Sequence, residues 1–298
     1  MADERKKGRP PPRVGPNGGT GARGDGSQPR GERGRPDRGA RTDAQRRSPR
    51  RTEQPRSQQG SDRRPERSRR SGPPDPPTDP DVTGRELDDD VRAELSTLSG
   101  GASGAVARHL VMAGRLLDDD PELAYQHALA ARRRAARVGV VREAAGIAAY
   151  HAGRYAEALA ELRAARRISG SAEYLPMMAD SERGLGRPQR ALDLAADPAV
   201  ASLEEAGRAE MLIVAAGARR DLGQLEAAAV ALQVPELRSQ SGLPWVARLR
   251  YAYADALVAL DRYEEARQWF VRAAESDEER QTDALERIDE LDIRTGAT

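Results

Sequence analysis

The stretch Tyr251-Ala-Tyr-Ala-Asp-Ala-Leu-Val-Ala-Leu-Asp-Arg-Tyr-Glu-Glu-Ala-Arg-Gln-Trp-Phe-Val-Arg-Ala-Ala274 decides the fold. It reads as the end of one helix, a tight turn at Asp261, and a second helix that begins near Tyr263. Asp, like Gly, tolerates the left-handed backbone that ends a helix. Ala266 is small where two helices would cross closely, and Phe270, one helical turn later, supplies bulk.

The turn recurs upstream. Gly153-Arg-Tyr-Ala-Glu-Ala158, Gly186-Arg-Pro-Gln-Arg-Ala191 and Gly223-Gln-Leu-Glu-Ala-Ala228 align with Asp261-Arg-Tyr-Glu-Glu-Ala266 without gaps. Asp119 to Ala124 is a weaker copy at the front. The first positions are spaced by 34, 33, 37 and 38 residues. Self-similarity near this period predicts stacked helix pairs, an α-solenoid. Leu185, Leu222 and Leu260 precede the turn; Tyr155, Pro188, Leu225 and Tyr263 follow it by two. The longer spacings place extra connection around Asp197-Pro198 and Gly242-Leu-Pro-Trp245. No alternating strand pattern with hairpin turns interrupts the body, so the expected class is all-α.

Helix starts are read from capping chemistry. Thr83-Gly-Arg-Glu86, Ser202-Leu-Glu-Glu205 and Ser276-Asp-Glu-Glu279 each match a capping box, and Asp120-Pro121 puts a cap before a proline at the first helical position. Leu87, Val91, Leu95 and Leu98 then fall at helical spacing behind Thr83. At the other end Ala284, Leu285, Ile288 and Leu291 form the stripe expected of a terminal capping helix.

Upstream of Thr83 the composition changes. Residues 1–80 hold 14 of the 20 prolines and 12 of the 28 glycines, and no Leu, Ile, Phe, Tyr or Trp. Such a segment has too little apolar area to offset an ordering cost of about 1–2 kcal/mol per residue. The expected organisation is a disordered basic tail over residues 1–82 and a helical repeat domain over 83–298. Residues 1–70 carry 21 Lys+Arg against 9 Asp+Glu, whereas 71–298 carry 28 against 39, so a net of +12 precedes a net of −11. Cysteine is absent, which removes disulfides and thiol chemistry. Nothing resembles a secretory leader behind Met1, and no apolar run is long enough to span a membrane, so the expected location is cytoplasmic.

On these residues the chain resembles the tetratricopeptide (TPR) repeat family. The likeness covers about residues 105–275 and is sharpest at Tyr251–Ala274 and at Ala144–Ala165, where Gly146, Ala158 and Ala165 match the family's small positions. Arg115, Glu182 and Arg219 stand where the family usually has an aromatic. The body also resembles an uncharacterised TPR family of high-GC bacteria. The resemblance implies about five helix pairs with capping helices, and a peptide groove lined by the first helix of each pair. Counting back from each turn, the groove positions are Glu143, Ile147, Tyr150, His151, Asp180, Arg183, Glu210, Arg220, Arg248, Tyr251 and Asp255. Chaperone-binding members clamp a C-terminal carboxylate with Lys/Arg and Asn. The one Asn here is Asn17, so that clamp is not expected.

No catalytic site is expected: GxSxG, P-loop, GxGxxG and EF-hand patterns are absent. His109, His127 and His151 lie on different expected helices without metal-ligand spacing, and are read as packing or surface residues. Asp118-Asp119-Asp120 lacks the alternation of a calcium loop. Arg132-Arg-Arg134, Arg137 and Arg166-Arg167 complement helix C-termini or form a local basic patch. The expected function is a non-enzymatic protein–protein interaction scaffold that binds a partner protein or peptide and uses no cofactor or metal. The alternative is an RNA- or ribosome-associated protein acting through residues 1–70. That contact would be weak and sequence-blind, because the tail has no aromatic residue to stack on bases.

Overall fold

The computed structural model describes residues 74–98, 101–239 and 243–296. The chain divides into two units, Met1–Pro73 and Pro74–Thr298. The expected nucleic-acid contact through residues 1–70, and the expected disordered tail as far as residue 73, fall on the first unit, outside the described residues.

The second unit is all-α; among its described residues there is no strand. Its helices are α1 (Asp89–Ser96), α2 (Ala102–Arg115), α3 (Pro121–Ala135), α4 (Gly139–His151), α5 (Tyr155–Ser169), α6 (Leu175–Gly184), α7 (Pro188–Ala195), α8 (Glu205–Asp221), α9 (Leu225–Ala231), α10 (Pro244–Val258), α11 (Tyr263–Ser276) and α12 (Ala284–Thr295). Consecutive helices pack on each other, and α2 also meets α4, α6 meets α8, and α8 meets α10.

The four turn residues do what their identities require. Gly153, Gly186, Gly223 and Asp261 all have positive φ, between 57° and 73°. At each turn the following amide reaches back five residues: Arg154 to the Ala149 carbonyl, Arg187 to Glu182, Gln224 to Arg219, and Arg262 to Leu257, at 2.8–3.0 Å. This is the Schellman closure, which satisfies carbonyls that a helix end would otherwise leave open. Asp119 does not share it: α2 ends at Arg115, and a run of turn residues leads into α3.

Small residues sit where helices approach. Ala124, Ala158, Ala191, Ala228 and Ala266 are fully buried, and so are Leu162, Leu232 and Phe270. A Cβ on Gly146 would lie 2.5 Å from Leu162 Cδ2, so α4 and α5 cross on a glycine. Two second helices, α7 and α9, are short. Each is followed by a 3-10 turn, Pro198–Ser202 and Pro235–Arg238, which takes up the longer spacings. Leu203 and Leu237 from these connections fill core space that a longer helix would have filled.

Three capping boxes are misread. Thr83 does pair with Glu86, through its amide at 3.0 Å and its hydroxyl at 3.1 Å, but this closes an isolated turn and α1 starts only at Asp89. Ser202 ends a 3-10 turn and donates to the Ala199 carbonyl, while Glu204 precedes α8. Ser276 closes α11, and Asp277 instead organises the next loop by accepting from the Gln281 and Thr282 amides, both at 2.8 Å. The Ser202 and Ser276 hydroxyls close the preceding turn instead, whereas at Thr83 the box forms but no helix follows it directly. Asp120 behaves as expected, accepting from Leu123 N at 3.0 Å ahead of Pro121. On α12, Ala284 and Leu291 are buried, but Leu285 is 60% exposed and drops out of the expected stripe.

Residues 74–82, expected as the end of the disordered tail, belong instead to the second unit and pack on it. Val82 is buried against Val111 and Met112 of α2. Asp75 is held by both Arg133 and Arg134, and Asp81 by Arg115 at 2.8 Å.

Candidate functional site

The first helices of the pairs carry the expected groove residues, and a cavity opens among them. It has a volume of about 650 Å³ and is lined by Arg183 of α6, by Ile213, Ala216, Gly217 and Arg220 of α8, by Arg248, Tyr251, Ala252 and Asp255 of α10, and by Gln281, Thr282 and Asp283. Five of the eleven expected positions therefore line one cavity: Arg183, Arg220, Arg248, Tyr251 and Asp255. A second hollow of about 490 Å³ adjoins through Arg183 and is walled by Tyr155, Asp180, Gly184, Gly186, Pro188 and Asp221.

These side chains engage one another across helices. Tyr150 of α4 donates to Asp180 of α6 at 2.6 Å. Arg183 donates to Asp180 at 2.8 Å and, from Nε, to Asp221 of α8 at 2.8 Å. Arg248 of α10 donates to Glu210 of α8 at 2.8 Å. Arg220 pairs with Asp255, which also receives Arg287 of α12 at 3.3 Å. The expected groove is thus laced by cross-helix ties. Arg183 bridges two carboxylates between the two hollows, and Gly217 makes room for it: a Cβ there would lie 2.5 Å from the Arg183 Cζ.

The remaining positions lie apart from the large cavity. Glu143 accepts from the Tyr174 hydroxyl at 3.5 Å. Burial, with Glu173 and Glu94 nearby, pushes its carboxyl up to about 7. Burial likewise raises Glu210, against the opposing pull of Arg248. Ile147 is half-buried on α4, and His151 is exposed, with the Tyr150 ring edge-on at 5.8 Å.

The sequence reading missed Ile213, Gly217, Asp221 and the Gln281–Asp283 loop. Ile213, Gly217 and Arg220 fall four and three residues apart, so extending a stripe back from Arg220 would have found the first two. No such signal exists for the loop, which reaches the cavity only because α12 folds back on α11.

Elsewhere, basic residues expected at helix ends meet acids. Arg132 and Arg142 both clasp the buried Glu161. Arg163 at 2.6 Å and Arg187 at 3.6 Å flank the buried Glu182. Arg166 meets Asp197 at 2.9 Å. Glu182 is therefore a buried carboxylate served by two cations.

Among the described residues no cluster of three or more metal-ligating side chains forms, and no helix is long and apolar enough to cross a membrane. The sequence matches no protein-family model and no curated protein.

Proposed function

We propose that this chain is a non-enzymatic cytoplasmic scaffold: a TPR-like α-solenoid of about five helix pairs, with capping helices, that holds a segment of a partner protein along the face of α4, α6, α8 and α10. The observation that carries this reading is the cavity shared by Arg183, Arg220, Arg248, Tyr251 and Asp255, drawn from three successive first helices. A cavity lined by polar and charged side chains from successive helices suits an extended peptide, whose backbone needs hydrogen-bond partners. Four copies of one turn closure support the repeat architecture.

The test is site-specific photo-crosslinking of the full chain in its own cells. A benzophenone side chain at Ile213 should give discrete adducts that the Arg183→Ala substitution weakens. The same probe at Arg190, on the exposed side of α7, should give none. Equal labelling from both positions would remove the groove from consideration.

A further inference from the structure

His109 of α2 and His127 of α3 meet inside the first helix pair. Both are buried, and their Nδ1 atoms lie 3.0 Å apart. At that distance one Nδ1 carries the hydrogen and the other accepts it, so the accepting ring at least is neutral. His127 Nε2 is also buried and has no hydrogen-bond partner. A second proton at Nδ1 would set two N–H groups against each other, and the other side of His127 offers no compensating bond. The ring cannot reach water in place, because His127 has no exposed surface.

The pair lies close to the anchorage of the Pro74–Val82 arm. The charged groups acting on it are Asp75 and Asp79 from the arm and Arg133 and Arg134 from α3. The last two hold Asp75. On α4, Arg142 and Glu143 are turned elsewhere, to Glu161 and Tyr174. We propose that the His109–His127 pair is an acid-sensitive clasp: protonation of both rings parts α2 from α3 and frees the Pro74–Val82 arm from its seat. This inference does not depend on the groove reading.

The direction follows from linkage. Burial, then His127, then Arg134 hold His109 down from 6.5 to about 4, and burial lowers His127 as well. The unfolded or opened chain therefore binds protons that the closed pair refuses. Stability is fully present above the ordinary histidine range and is lost as pH falls from there towards about 4. The arm's own carboxylate does not titrate in this window, because Arg134 and Arg133 hold Asp75 at about 2, so the loss is not its protonation.

The experiment is amide hydrogen exchange of the full chain between neutral pH and about pH 4.5, with each rate divided by its intrinsic chemical rate. Protection of α2, α3 and residues 74–82 should fall by up to about tenfold per pH unit below the histidine range. Helices α10 and α11, which hold no histidine, should stay protected. The double variant H109Q/H127Q keeps a neutral amide pair and should show no such loss. Equal loss in the double variant, or loss spread evenly over all helices, overturns the proposal. Should that variant fail to fold, the wild-type histidine NMR titration decides. His109 and His127 must titrate below the ordinary range and in step with the exchange; ordinary titration in a closed α2–α3 pair also overturns it.

Discussion

The guanidinium of Arg183 rests on Gly217: a Cβ at Gly217 would stand 2.5 Å from Arg183 Cζ and 2.6 Å from its Nη1. The bare backbone of α8 thus lets an α6 side chain cross and tie Asp180 to Asp221. Gly217→Ala should cost little stability, within about 1 kcal/mol, because better helix propensity offsets the displaced contact. Cross-linking from Ile213 should nonetheless weaken as it does in Arg183→Ala. Urea unfolding and adduct yield, measured on the same variant, separate the two effects.

Gly146→Ala is expected to behave differently. Its new Cβ would meet not only the end of Leu162 but also the Leu162 backbone nitrogen at 3.2 Å, so α5 itself must move. The expected cost is about 1–3 kcal/mol of overpacking. Ala158→Leu and Ala266→Leu, at fully buried crossings, should fall in the same range. A urea midpoint unchanged from wild type would show that the helices there yield freely.

The buried Glu182 predicts an asymmetry. Its side chain is 1% exposed, whereas Arg163 and Arg187 are 46% and 49% exposed. Removing the anion leaves two cations that water still solvates. Removing both cations strands a buried charge, which costs about 3–5 kcal/mol. Arg163→Ala with Arg187→Ala should therefore destabilise more than Glu182→Gln, and denaturation at neutral pH orders them.

Glu143 predicts a pH effect of opposite sign to the histidine pair. Its folded-state carboxyl is raised to about 7 by burial and neighbouring carboxylates, above the 4.5 of a free glutamate. Its favourable contribution is present below pH 4.5 and is lost as pH rises through 7. Glu143→Gln should raise the melting temperature relative to wild type above neutral pH, and the difference should shrink towards pH 5. A difference that is constant with pH would place the effect outside Glu143 ionisation.

The turns and close crossings were legible because their signals are local. A left-handed turn demands Gly or Asp within one position, and a close crossing demands Ala, so Gly153, Gly186, Gly223, Asp261 and their partners Ala158, Ala191, Ala228 and Ala266 announce the helix pairs in the sequence. The capping boxes were local too, but ambiguous. A Ser hydroxyl can equally close the preceding helix, as Ser276 does on the Arg272 carbonyl at 2.9 Å.

What the sequence determined alone is the helical class, the period and the residues of the turns, because each rests on bonds made within a few positions. What only the tertiary structure decided is who meets whom. Tyr150–Asp180, Arg183–Asp221, Arg220–Asp255 and Glu210–Arg248 join residues 30–38 apart. Many acids and bases lie at such separations, and only the packing of the helices on one another selects among them. The His109–His127 contact has the same origin: two histidines 18 residues apart look like separate core residues until α2 and α3 fold together and leave them a single shared proton at Nδ1.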